Sequence, residues 1–133
     1  MTLRATRSGL AQDLIFNSVE AAYQAAKCAD PNDCLKFLTL DALQAKRFGK
    51  QIQVRADWNG MKESLMLELV MQKFLIPDLA RRLLETGDAE LIEGNRWGDT
   101  FWGVDVCFGC GANKLGVILM RVPDFIARLP APR

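Results

Sequence analysis

Trp58-Asn59-Gly60-Met61-Lys62-Glu63-Ser64-Leu65-Met66-Leu67-Glu68-Leu69-Val70-Met71-Gln72-Lys73-Phe74 is the stretch that decides the fold class. Met61, Leu65, Leu69 and Phe74 recur near helical spacing with charged residues between them, which predicts one long amphipathic helix and a structural spine. Working toward the C-terminus, Pro77 sits at a favourable first-turn position for a helix through Glu85, stopped by Gly87. The apolar run Leu115–Val122 follows Asn113 and ends at Pro123, and Asp124–Leu129 reads as a further turn or two. Toward the N-terminus, Gln51–Arg55 reads as extended, and Leu40–Phe48 as a helix with Thr39 as cap and Gly49 as stop. Asn17–Ala29 reads as the first helix. Asn17-Ser18 opens it, Glu20 falls at capping-box spacing from Asn17, and Val19, Ala22, Tyr23 and Ala26 form an apolar stripe. Asp30-Pro31-Asn32-Asp33 reads as its breaker. Within residues 1–16 only Leu14-Ile15-Phe16 resembles a strand or the approach to a helix, while Arg4, Arg7 and Gly9 suggest irregular backbone, and Pro130-Ala131-Pro132 reads as a frayed tail. The expectation is a mainly α fold with minor β structure (α+β), one domain over residues 1–133, with no repeat or linker to divide it.

Composition narrows the function. Lys plus Arg number 17 against 16 Asp plus Glu, a formal charge of +1 that gives no field for gripping a phosphate backbone regardless of sequence. No apolar run approaches the ~20 residues of a membrane span, and no secretory signal opens the chain, so a soluble cytoplasmic protein without membrane partners is expected. Histidine is absent, which excludes Ser-His-Asp and Cys-His chemistry and leaves proton transfer to carboxylates, lysine, tyrosine or a polarised water. Cys107 and Cys110 form a C-x-x-C pair, but Cys28 and Cys34 are spaced C-x5-C and no histidine completes a mixed site. The reading is therefore reduced thiols acting as small hydrophobes, with no metal and no cofactor.

Residues 93–103, Glu-Gly-Asn-Arg-Trp-Gly-Asp-Thr-Phe-Trp-Gly, hold two carboxylates, two indoles and three glycines without a clean period. This is either a ligand site or a turn-rich loop with buried aromatics. Glu20, Gln24 and Lys27 fall at i, i+4 and i+7, aligning a carboxylate, an amide and an ammonium on one helix face, as a site or as a solvated face. Trp58 and Lys62, one turn apart, line one wall, or Trp58 is a hydrophobic staple. Glycines at 103, 109, 111 and 116 around Asn113 could present amides to a phosphate just before the Leu115 helix.

Taken together, Val19-Glu20-Ala21-Ala22-Tyr23-Gln24-Ala25-Ala26-Lys27, Ala45-Lys46-Arg47-Phe48-Gly49, Asp57-Trp58-Asn59-Gly60-Met61-Lys62, Lys73-Phe74, Leu83-Leu84-Glu85-Thr86-Gly87, Trp97-Gly98-Asp99-Thr100-Phe101-Trp102-Gly103 and Asn113-Lys114-Leu115-Gly116 resemble the YbiA-like NADAR family, in order and spacing, from about residue 16 to residue 122. The resemblance implies a small α-rich fold with minor β structure. It also implies an N-glycosidase that cuts ribose-to-nitrogen bonds, in phosphorylated intermediates of riboflavin synthesis or in ADP-ribose attached to guanine. The partner is then a small phosphorylated ribosyl or ADP-ribosyl molecule, or ADP-ribosylated nucleic acid; oligomeric state stays open. By position, the family's acid corresponds to Glu20, its aromatic platform to Trp58, and its loop acid and indole to Asp99 and Trp102. Lys27 matches a lysine suited to a covalent imine or to phosphate binding, and Glu93 and Asn113 match further pocket positions. Catalytic roles are thus expected of Glu20, Lys27 and Asp99, and substrate contacts of Tyr23, Gln24, Trp58, Lys62, Glu93, Trp102, Gly103 and Asn113. Residues 1–16 lack the Ser-Asn-Phe motif that many members carry before the first helix, so part of the pocket wall is expected to be missing or rebuilt, and Ala21 stands where histidine is frequent. Two rival classes remain: a module that binds ADP-ribose or a nucleotide without cutting it, and a purely structural helical protein.

Overall fold

The computed structural model describes residues 3–5 and 14–129; Arg7, Gly9 and the 130–132 tail lie outside them. The described residues group into two compact units that divide between Lys73 and Phe74. They are mainly helical with short strands, as the helical spacing predicts.

The first unit opens with two antiparallel strands, β1 (Leu3–Ala5) and β2 (Leu14–Phe16), in register Leu3↔Phe16 and Ala5↔Leu14. Arg4 is therefore extended rather than irregular, set opposite Ile15 in the antiparallel ladder. Leu14 and Phe16 point inward and Ile15 outward, the alternation of a strand with one covered face. Helix α1 (Val19–Lys27) follows, capped by Ser18, whose Oγ accepts from the Ala21 amide at 3.0 Å. The cap is thus Ser18 and not Asn17, and Glu20 takes no part in a capping box. Buried residues run consecutively from Ala21 to Ala25 rather than along the stripe of Val19, Ala22, Tyr23 and Ala26, since α1 is packed on several sides at once. Ala21, Ala22 and Ala25, at most 1% exposed, let the neighbouring elements approach closely.

Asp30-Pro31 proves to be a start, not a breaker: Pro31 occupies the first turn of α2 (Pro31–Lys36) and Asp30 accepts from the Asn32 amide. Proline's absent N–H costs nothing at that position. A 3-10 turn (Phe37–Thr39) leads to α3 (Ala42–Phe48), where Asp41 and Gln44 form a full capping box, so the cap is Asp41 and not Thr39. Within 51–55 pairing is limited to an isolated bridge that sets Val54 opposite Cys28, where the Gln53 carbonyl accepts from the Ala29 amide and the Arg55 amide donates to the Lys27 carbonyl. The spine is α4 (Trp58–Lys73), whose buried line is Trp58, Met66, Leu69 and Val70. Of the expected stripe only Leu69 is fully buried.

The second unit holds α5 (Pro77–Leu84), a two-residue parallel pair β3 (Gly94–Asn95) and β4 (Val104–Asp105), and α6 (Lys114–Ala127). Helix α6 runs through Pro123 without the predicted break. Proline in a helix interior costs about 3 kcal/mol, and packing of α6 on α5, with Val122 wholly buried, outweighs it. Gly87 ends the α5 turn with φ +55°, a conformation glycine adopts without strain. Cys28 and Cys34 are buried small hydrophobes, whereas Cys107 and Cys110 are exposed and do not fit that reading.

Candidate functional site

In the first unit the predicted residues gather on α1 and at the start of α4. Glu20 and Gln24, one turn apart, are joined by a bond in which Gln24 Nε2 donates to Glu20 Oε1 at 3.0 Å. Gln24 is 8% exposed, and its Oε1 is buried with no hydrogen-bond partner among the described residues. An orphaned acceptor of this kind costs roughly 1–3 kcal/mol. Lys27, a further turn along, is half-buried; desolvation pulls its pKa below the ordinary 10.5, and Cys28 and Glu20 pull it partly back. Tyr23 and Trp58 pack edge to face with ring centroids 4.9 Å apart. Trp58 is only 7% exposed, so its indole is a core residue and not the open plate that the sequence suggested. Lys62 lies one helical turn beyond it, half-buried.

In the second unit the 93–113 segment is organised by side chains that bond to backbone. Asn95, which sequence reasoning passed over, is 2% exposed and central. Its Nδ2 donates to Glu93 Oε2 (3.1 Å) and to the Asp99 carbonyl (2.8 Å), and its Oδ1 accepts from the Asp99 amide (3.0 Å). Asp99 Oδ1 accepts from the amides of Phe101 (3.1 Å) and Trp102 (2.9 Å), fixing the Trp102 turn, and the Phe101 and Trp102 rings meet at 4.8 Å. Asn113 is left-handed at φ 51°, which asparagine tolerates. Its amide donates to the Leu91 carbonyl and accepts from the Glu93 amide, both at 2.9 Å, so it positions Glu93. Gly103 is required by proximity: a Cβ there would collide with the Glu93 carboxylate and carbonyl.

Glu93 also lines a cavity of about 620 Å³ with Leu83, Leu91, Leu119 and Arg82. The amides at the head of α6 are not available to a phosphate. Those of 112, 113, 114 and 115 donate to the carbonyls of Thr100, Gly103, Phe101 and Trp102. The glycine-rich loop thus caps the helix that the sequence reading left open to an anion. The signals that could have found Asn95 and Gly49 were slight: an asparagine between a glycine and an arginine, and a glycine read only as a helix stop.

The chain belongs to the NADAR domain family, whose model matches residues 2–127. It is similar to an N-glycosidase from Nostoc punctiforme, 37% identical over 130 residues that span 89% of this chain and 79% of that protein. It is also similar to a riboflavin biosynthesis protein from Vibrio vulnificus, 43% identical over 111 residues, 80% of this chain but 30% of that longer protein. The NMR structure of Escherichia coli YbiA matches with a TM-score of 0.79 at 26% identity, covering 96% of this chain and 73% of YbiA.

Proposed function

We propose that this chain, an N-glycosyl hydrolase of the NADAR family, cleaves the ribose–nitrogen bond of phosphorylated intermediates of riboflavin biosynthesis. The observation that carries the reading is the α1 face. There a carboxylate held by a buried amide and a half-desolvated ammonium follow one another along a single rigid helix, in a chain similar to proteins named for N-glycosidase activity and riboflavin biosynthesis. Cleavage breaks the C1′–N bond heterolytically; both electrons leave with nitrogen, which takes a proton, and water captures the cationic carbon while losing a proton to a carboxylate. Glu20 stabilises the cation and accepts the water's proton. Lys27 either grips the phosphate or, as a neutral amine favoured by its burial, attacks C1′ in place of water as the C1′–N bond breaks; the sugar ring then opens to an imine, and water hydrolyses the imine to release the sugar and restore the amine. Within the first unit Tyr23 and Trp58 supply apolar surface and Lys62 a second cation. Within the second, Trp102 is the candidate base contact and Asp99 and Glu93 the candidate ribose contacts, with Gly103 and Asn113 keeping Glu93 in place.

The test is incubation with a phosphorylated ribosylaminopyrimidine and, separately, with an oligonucleotide carrying ADP-ribosylated guanine. Time-dependent release of the aminopyrimidine is expected, and Glu20→Gln should lower it about 100-fold or more while leaving thermal unfolding close to wild type. Release from the second substrate alone would make the chain an ADP-ribosylhydrolase, and saturable binding without release a reader. Wild-type turnover by Glu20→Gln removes Glu20 from the chemistry.

A further inference from the structure

We infer that Gln24 is a positioning residue whose buried amide clamps the Glu20 carboxylate, and that Gly49 is glycine in order to leave room for that clamp. The inference rests on Glu20 being the reacting carboxylate. Gln24 is 8% exposed, with one end donating to Glu20 Oε1 at 3.0 Å and the other end without a hydrogen-bond partner among the described residues. An apolar side chain of the same length would fill this space without stranding an acceptor, so packing does not call for an amide here. The bond to Glu20 does. Reversing the amide would set its carbonyl oxygen against the carboxylate oxygen, so only one orientation supports Glu20.

Gly49 bounds the same amide from the side of α3. As the C-cap that follows α3 it has φ −60°, a right-handed conformation open to any residue, so conformational freedom does not explain it. Space does: a Cβ at 49 would run into Gln24 Oε1 and stand 2.6 Å from Gln24 Cδ, pushing the amide off its line to Glu20. A displacement of this order in a group that aims a reacting atom lowers turnover by about 10- to 100-fold. Gln24 therefore acts through Glu20 and not on the substrate.

The test compares wild type, Gln24→Met, Gly49→Ala and the double variant in steady-state cleavage of the phosphorylated ribosylaminopyrimidine, in thermal unfolding, and by NMR of the Glu20 carboxyl carbon. Gln24→Met is expected to lose about 10- to 100-fold in kcat with KM within about twofold, and to unfold at the same or a higher temperature because a stranded acceptor is gone. Gly49→Ala should show the same kcat loss, and the double variant no more than either single one. Wild-type kcat in Gln24→Met overturns the clamp. So does a raised KM at unchanged kcat, which would mean direct substrate contact, or a kcat loss that merely tracks a lowered unfolding temperature. The Glu20 carboxyl resonance, which needs no substrate, should move in both single variants; an unmoved resonance also overturns the clamp. An inactive wild type, or an active Glu20→Gln, instead counts against the reading of Glu20 on which the inference rests.

Discussion

Helix α1 and the 93–113 segment carry similar polar equipment and put it to different use. On α1 the Glu20 carboxylate and Gln24 amide bond to each other, and Lys27 lies along the same face, so the side chains remain chemical groups on a regular scaffold. In the 93–113 segment Asn95, Asp99 and Asn113 bond to main-chain atoms, and thereby take the place that regular structure would have filled. A helix satisfies its own backbone and frees its side chains for function; an irregular segment must recruit side chains to satisfy its backbone. Substitutions on α1 should therefore register mostly in turnover, and those in 93–113 mostly in stability.

The largest stability effect is expected at Asn95. Asn95→Leu strands the amide and carbonyl of Asp99, and chemical unfolding should show a loss of about 3 kcal/mol; a loss below about 1 kcal/mol would break the contrast. Asp99→Asn sharpens it, because asparagine can still accept from Phe101 and Trp102. If Asp99 only shapes the turn, stability and turnover both survive. If it also contacts the reacting ribose, stability changes by less than about 1 kcal/mol while kcat falls by about 100-fold.

Lys27→Met gives the smallest shift and a pH signature. Burial lowers the folded-state pKa of Lys27 below 10.5, so below the folded value both states hold the proton and the folded state bears the cost of a half-buried ammonium. As pH rises toward 10.5 the folded state discharges first and wild-type stability rises relative to the variant. Lys27→Met should thus be slightly more stable near neutral pH, with an advantage that shrinks on approach to 10.5, as read from unfolding midpoints across pH. An advantage that grows with pH would contradict the lowered value.

Periodicity made the helices legible. The α4 and α5 boundaries fell within a residue of expectation, and the i, i+4 relation that joins Glu20 to Gln24 follows from helix geometry alone. Punctuation was less legible. Asp30-Pro31 starts a helix and Pro123 fails to stop one, because proline's effect depends on its place in a turn and on packing not written nearby. Gly49 looked like a helix stop, and its nearness to Gln24, twenty-five positions earlier, has no local sign.

The sequence by itself determined the α-rich class, the spine and the alignment of Glu20, Gln24 and Lys27, since these depend on the fixed rise and rotation of a helix. Tertiary structure alone decided that Trp58 is core, that the amides heading α6 are taken by residues 100–103, and that Asn113 reaches Leu91 across twenty-two positions. Such contacts form between segments remote along the chain, and whether a polar side chain meets backbone, ligand or water there is set by which segments the fold brings within hydrogen-bonding distance.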